Sequence, residues 1–162
     1  MDLILSWFNF LPAEVLTFVV AATPISELRG AIPLALGVFG FSPVKSFIIA
    51  WVGNLLPAVF LLWWLGPVSD FLSRHFALAK KFFDWLFART RRKFSGRYET
   101  LGEVALVIFV AVPLPLTGVW TGAVAAFLFG LPKKRSLGLV GLGAAFAGLI
   151  VTALSLGVIE LF

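Results

Sequence analysis

The chain has 162 residues, 60% of them hydrophobic and only 13% charged, with a net charge of +5 and a mean hydropathy of +1.04. That is too apolar for a soluble domain of this size and points to an integral membrane protein. The absence of cysteine excludes disulfides and thiolate metal sites, and a single histidine cannot make a metal cluster.

In chain order, Met1 to Leu11 is short and aromatic, with Trp7, Phe8 and Phe10 resembling an interfacial belt. No basic n-region and no small-residue cleavage site accompany it, so the start reads as mature chain. Pro12 to Thr23 is an apolar segment whose helix would rise about 18 Å, short of a hydrocarbon core of about 30 Å. The stretch from Pro24 to Pro33 then interrupts the helix, because proline lacks an amide donor and disfavours helical geometry in the residue before it. Within the break, Glu27 and Arg29 lie between two runs that belong in hydrocarbon. Each ion there costs on the order of 3 kcal/mol, so such groups pair, turn inward or line a wet cavity. A second short run, Ala31 to Phe41, follows. Ser46 to Leu65 is long enough to span a membrane, holds Gly53, Asn54 and Pro57, and is expected to end at Gly66-Pro67.

The middle, Asp70 to Tyr98, is basic. Leu72, Phe76, Ala79, Phe83 and Leu86 recur at helical spacing, with Arg74, Lys80, Lys81 and Arg89 elsewhere on the wheel and Arg91, Arg92 and Lys93 beyond. This predicts an amphipathic helix lying on an anionic leaflet. The alternative is a connector whose charges serve topology alone. In a membrane protein such a block marks the cytoplasmic face rather than a nucleic-acid site, and His75 within it reads as a surface residue.

The same order then returns. Glu103 to Val112 is apolar, Pro113 to Gly118 breaks it, Trp120 to Gly130 is apolar again, Pro132 stops it, and Ser136 to Ile159 is a Gly/Ala-rich span. Glu14 matches Glu103, Pro24 matches Pro113, Pro43 matches Pro132 and Lys45 matches Lys134, all at an offset of 89, which predicts an internal repeat. Each half holds a broken pair of short helices, re-entrant or twice crossing, and one full span. Either way the number of crossings is odd, so the second half enters from the opposite side. The expected fold is an all-α integral membrane inverted repeat of the kind that builds transporters. It forms a single membrane domain over residues 1–162: repeat 1 over 12–68, a basic amphipathic connector over 69–100, and repeat 2 over 101–159. The positive-inside rule places the connector in the cytoplasm and both termini outside a multi-pass cell-membrane protein.

Candidate substrate- or ion-binding residues are Pro24, Glu27, Arg29, Gly30 and Pro33 in the first break, Asn54 in the first span, and Pro113, Pro115, Thr117, Gly118 and Thr121 in the second break. Their structural alternatives are an ion pair that braces the hairpin, prolines and glycines that only shape it, and an asparagine that glues helices. Glu14 and Glu103 read as interfacial anchors. There is no nucleophile with a base, no phosphate loop and no metal-ligand cluster, so neither an enzyme nor a cofactor or metal is expected.

Ser26-Glu27-Leu28-Arg29-Gly30-Ala31-Ile32-Pro33 and Pro113-Leu114-Pro115-Leu116-Thr117-Gly118-Val119-Trp120-Thr121-Gly122 resemble the paired signatures of the small multidrug export protein family of prokaryotic membrane proteins. That family is in turn similar to the DedA superfamily. The resemblance implies two opposed re-entrant hairpins and movement of lipids or polyprenyl-phosphate carriers. DedA members carry arginines in the second hairpin, whereas Leu114 to Thr121 has no charge, which leaves headgroup recognition to Arg29. The function so implied is a small-molecule exporter or lipid translocase, ion- or proton-coupled, whose hairpin tips form a midplane site. The rival is a non-transporting membrane-shaping or scaffold protein. Expected partners are membrane lipids and a small-molecule or lipid substrate, with no nucleic acid; whether a homodimer forms stays open.

Overall fold

The computed structural model describes residues 11–93, 97–114 and 117–161, and their side chains except 86–87, 89–93, 97–100 and 160–161. The expected interfacial belt of Trp7, Phe8 and Phe10, and Pro115, lie outside the described residues, as do the side chains of Leu86, Arg89, Arg91, Arg92 and Lys93. All regular structure among the described residues is helical: α1 (Ala13–Ala22), α2 (Glu27–Pro33), a π-turn (Leu34–Val38), α3 (Pro43–His75), α4 (Ala77–Lys93), α5 (Arg97–Ala111), α6 (Val119–Leu128) and α7 (Lys133–Leu161). Two of these, α3 and α7, are long and apolar enough to cross a membrane. The chain packs as two units, residues 1–56 with 145–162, and residues 57–144.

In the first unit, α1 ends where sequence chemistry requires. Thr23 precedes Pro24 and is extended at ψ 144°, out of helical range. The four residues 23–26 turn the chain, and α2 then packs back on α1. Leu16, Thr17 and Ala21 of α1 meet Leu28, Ala31 and Ile32 of α2, Ala35 and Leu36 of the π-turn, and Ala50 of α3, in a core built mostly of small residues. Small residues let helix backbones approach where lipid offers no hydrophobic drive. At Gly53 an added Cβ would lie 2.5 Å from the Phe18 carbonyl oxygen, so α3 crosses α1 backbone to backbone. At Gly148 of α7 it would lie 2.7 Å from the Phe47 ring.

The core of the second unit is drawn from α5, α6 and the start of α7. Leu106, Val110, Val119, Ala123, Ala126 and Val140 form its core, and a Cβ at Gly143 would lie 2.8 Å from the Val107 carbonyl oxygen. In both units the large apolar side chains of α3 and α7, such as Phe60, Trp64, Phe146 and Leu149, face outward while alanine and glycine face inward. That arrangement suits lipid and not water.

Burial along residues 41–50 is reproduced residue for residue along 131–140. The matching spacing is therefore 90 here, which pairs Ser42 with Pro132 and Pro43 with Lys133, rather than Pro43 with Pro132 as the sequence suggests. The Ser46 amide donates to Ser42 O and the Ser136 amide to Pro132 O in the same way. Along α1 and α5 the spacing is 89, as Thr17 with Leu106 and Ala21 with Val110. At the start of α2 it is 91, with Glu27 against Gly118, the two residues that combine burial with positive φ, 47° and 153°. The constant spacing fails for two physical reasons. Counted up to the matched residues Glu27 and Gly118, the second break (112–117) is two residues longer than the first (23–26), and the π-turn, with Phe39 N–H donating to Leu34 O at 3.2 Å, adds a residue to the first half.

Three other boundaries differ from the sequence reading. The first break is confined to 23–26, and Pro33 sits inside the helical run, directly before the π-turn. Gly66-Pro67 does not end α3, which continues to His75; each internal proline deletes one ladder bond, to the carbonyl four residues earlier, and the rest of a long helix carries on. The amphipathic connector is thereby two pieces, the end of α3 and α4, joined at Phe76. The interruption shifts the phase of the wheel. Leu72, Ala79 and Phe83 are half-buried, and Phe76, Leu78, Phe82 and Trp85 are exposed.

Candidate functional site

The turn between α1 and α2 is built from its own polar atoms. Thr23 Oγ1 donates to Val20 O at 2.8 Å, the Thr23 amide reaches the same carbonyl at 3.2 Å, and the Ser26 amide donates to Thr23 Oγ1 at 3.4 Å. Val20 is the residue whose helical donor Pro24 removes, so the carbonyl the proline frees is already taken. Glu27 N–H donates to Thr23 O at 3.1 Å and Gly30 N–H to Ser26 O at 2.9 Å, which starts α2.

Glu27 opens that helix with φ 47°, a left-handed conformation that a residue with a Cβ rarely adopts. Such strain is of order 1–3 kcal/mol and persists where the surroundings over-determine it. Only 6% of the residue is exposed. Its Oε2 lies 3.5 Å from Nη2 of Arg29, whose side chain is 28% exposed. The acid is thus sequestered and the base partly open, at the long limit of direct contact. Gly30 holds the geometry: a Cβ there would lie 2.8 Å from Ser26 Cβ. Pro24 and Pro33 are exposed and shape the backbone from outside.

Asn54 is 1% exposed, and its Oδ1 has no hydrogen-bond partner among the described residues. Through that oxygen, Asn54 makes no helix-gluing hydrogen bond among the described residues. In the second unit, Thr117 Oγ1 lies 2.7 Å from Val112 O and 2.9 Å from Leu114 O, and accepts the Leu114 amide at 3.2 Å. Its hydroxyl is spent on the tip's own backbone. Thr121 Oγ1 donates to Gly118 O at 3.3 Å, Gly118 is buried, and Pro113 is half-buried. The structure therefore brings together Glu27, Arg29 and Gly30 in one unit, and Pro113, Thr117, Gly118 and Thr121 in the other.

Two interactions escaped the sequence reading. Glu14 pairs with Lys45 at 2.6 Å, both exposed, and Glu103 with Arg135, through Nε at 2.6 Å and Nη2 at 2.8 Å, with the carboxylate 10% exposed. In the first turn of α1, outside both span-length helices, the Lys45 hydrogen bond holds the Glu14 carboxyl below its ordinary value. The signal was a base 31 or 32 residues after each glutamate, with Arg135 and not Lys134 as the second partner. Of the expected membrane-surface bases, Arg74, Lys80 and Lys81 are all exposed, and the first two line a cleft of about 650 Å³ with Asp70 and Asp84. No group of three or more metal-ligating side chains occurs among the described residues.

The model of one protein family, described as "Putative small multi-drug export protein", matches residues 27–150. That match begins at Glu27. No curated protein and no solved structure matches the chain.

Proposed function

Because the chain belongs to the small multi-drug export family, we propose that it is a transporter whose substrate site is the Glu27–Arg29 tip. The carrying observation is Glu27: a buried carboxylate in strained left-handed backbone, beside an arginine that water reaches. A brace would be expected to hold its ions in short, closed contact. A pair at 3.5 Å can exchange, with a cationic substrate taking the carboxylate from Arg29, or an anionic headgroup taking Arg29 from the carboxylate. The first exchange suits a small lipophilic cation, the second a lipid phosphate as in the DedA resemblance. The family description favours the first. Catalysis has no part in this reading.

The two halves are read as an inverted repeat of re-entrant hairpins. Helices α1 and α6, of 10 residues each, rise about 15 Å, half the hydrocarbon thickness. Irregular backbone such as 23–26 is tolerated at membrane depth only within protein or against a wet cavity. With the connector cytoplasmic and the termini outside, 11 of the 13 basic residues face the cytoplasm.

The test is Glu27→Gln in proteoliposomes, with a fluorescent lipophilic cation and a fluorescent phospholipid as separate cargoes, alongside thermal melting in detergent. Transport of one cargo by wild type, lost in the variant while its melting temperature is kept, is the expected result. A variant that melts early yet transports normally would reduce the pair to a brace.

A further inference from the structure

We propose that the turn of α3 carrying Gly53, Asn54 and Pro57 is a binding site for a small monovalent cation of sodium type. Asn54 Oδ1 is buried without a hydrogen-bond partner among the described residues, a placement that is destabilising unless something meets the oxygen. Pro57 has no amide hydrogen, so the Gly53 carbonyl loses the donor it would have in an unbroken helix. The residue at this crossing is glycine, and it brings the turn against the Phe18 carbonyl of α1. Two neutral oxygens on one turn thus lack their ordinary donors.

Packing does not require this. At the matching spacing of 90, the second half has Ala144 opposite Asn54 and Ala147 opposite Pro57, and the burial of both positions is the same in the two helices. Alanine holds the matching, equally buried places. The polar amide and the imino ring are additions to the first half, and both supply an uncommitted oxygen. Gly143, opposite Gly53, is retained, so the backbone crossing is common to both halves and the ligand chemistry is not.

Neutral amide and peptide oxygens suit a monovalent ion. A divalent ion would draw on several carboxylates, and no cluster of such groups occurs among the described residues. An amide cannot take up a proton near neutral pH, so Asn54 is no proton relay. Carbonyls released from helix geometry coordinate sodium in transporters built from broken helices. As the ion that drives transport, the cation rests on the function proposed above; as a bound ligand it does not.

The experiment is thermal melting of the full chain in detergent, in sodium chloride and in choline chloride at equal ionic strength. At concentrations well above the dissociation constant, sodium should raise the melting temperature by about 5 °C over choline. Asn54→Ala, which copies Ala144, should fold and lose the shift. Pro57→Ala, which returns a donor to the Gly53 carbonyl, should reduce it. Coinciding wild-type curves in the two salts would mean that water alone meets the amide, and would overturn the site. So would a full sodium shift in Asn54→Ala. Because Glu27→Gln is read by transport and Asn54→Ala by the sodium shift, either proposal can fail while the other stands.

Discussion

Replacing Gly53 by alanine should force apart the helix crossing that presents Asn54. The new Cβ would sit 2.5 Å from Phe18 O, 3.0 Å from Phe18 Cα and 3.1 Å from Phe18 C, all backbone atoms with no rotamer to yield. Carbon contacts settle at about 3.5 Å, so α1 and α3 must separate by about 1 Å at this point. Overpacking of this kind destabilises by about 1–3 kcal/mol. Alanine in mid-helix returns about 1 kcal/mol of propensity, so the net loss should be up to about 2 kcal/mol. Gly138 is the control. It lies within α7 with nothing within 4 Å of its would-be Cβ, so Gly138→Ala should gain stability from propensity alone. Gly143→Ala, at 2.8 Å from Val107 O, should behave like Gly53→Ala. Detergent melting curves of the three variants beside wild type decide it. If Gly53→Ala and Gly138→Ala both raised the melting temperature, the close crossing would be wrong, and with it the account of why Asn54 is buried.

The two glutamate pairs should respond unequally. Glu103→Gln removes a nearly buried carboxylate from a half-exposed arginine and should cost about 1–2 kcal/mol, while Glu14→Gln breaks a solvated pair and should change the melting temperature little. The small Glu14 contribution has a definite sign: Lys45 lowers the folded carboxyl's pKa, so it is whole above the unfolded value and fades as pH falls through the folded one. Melting wild type and Glu14→Gln at neutral and strongly acidic pH should give curves that differ only at neutral pH. For topology, single cysteines placed at Lys80, Lys133 and Lys45 in this cysteine-free chain should label with an impermeant reagent from the cytoplasmic side at the first two and from outside at the third. Outside labelling at position 133 would overturn the inverted arrangement.

Much of the fold was legible because proline and hydropathy act locally. Pro24 sets Thr23 extended, Pro12 precedes α1, and the two long apolar runs became α3 and α7. What was not legible depends on alternatives that local chemistry leaves open. Pro67 looks like Pro24 in the sequence, yet α3 passes through it: the proline costs one ladder bond, and about two more turns follow to His75. The longer second break and the one-residue π-turn carry no composition signal, so a spacing that holds at 89 for the charged and proline markers becomes 91 after the break and 90 after the π-turn. Partner choice was hidden for the same reason: Lys134 and Arg135 are adjacent, and only helix phase selects Arg135 for Glu103. At the tip, the acid and base were visible as misplaced charge, but the backbone strain of Glu27 was not.

The differences between the halves bear on function more than their likeness does. At the start of α6 the second half has glycine, Gly118 at φ 153° and ψ −164°, in a region that only glycine enters without strain. The matching place in the first half holds Glu27, at a different positive φ of 47°, where a residue with a Cβ is strained. Where the second half fills its buried crossing with Ala144 and Ala147, the first uses Asn54 and Pro57. Each substitution in the first half works against stability, through backbone strain, an unmet amide oxygen or a lost helical bond. The second half meets the same packing demands with residues that carry none of these penalties, so the fold itself does not ask for them. Glu27, Asn54 and the Pro57-released carbonyl of Gly53 all belong to the unit of residues 1–56 and 145–162. If they served only shape, reverting all three to their counterparts, Glu27→Gly, Asn54→Ala and Pro57→Ala, should yield a more stable protein with transport unchanged. On the reading argued here the reverted chain is the more stable one and is inert.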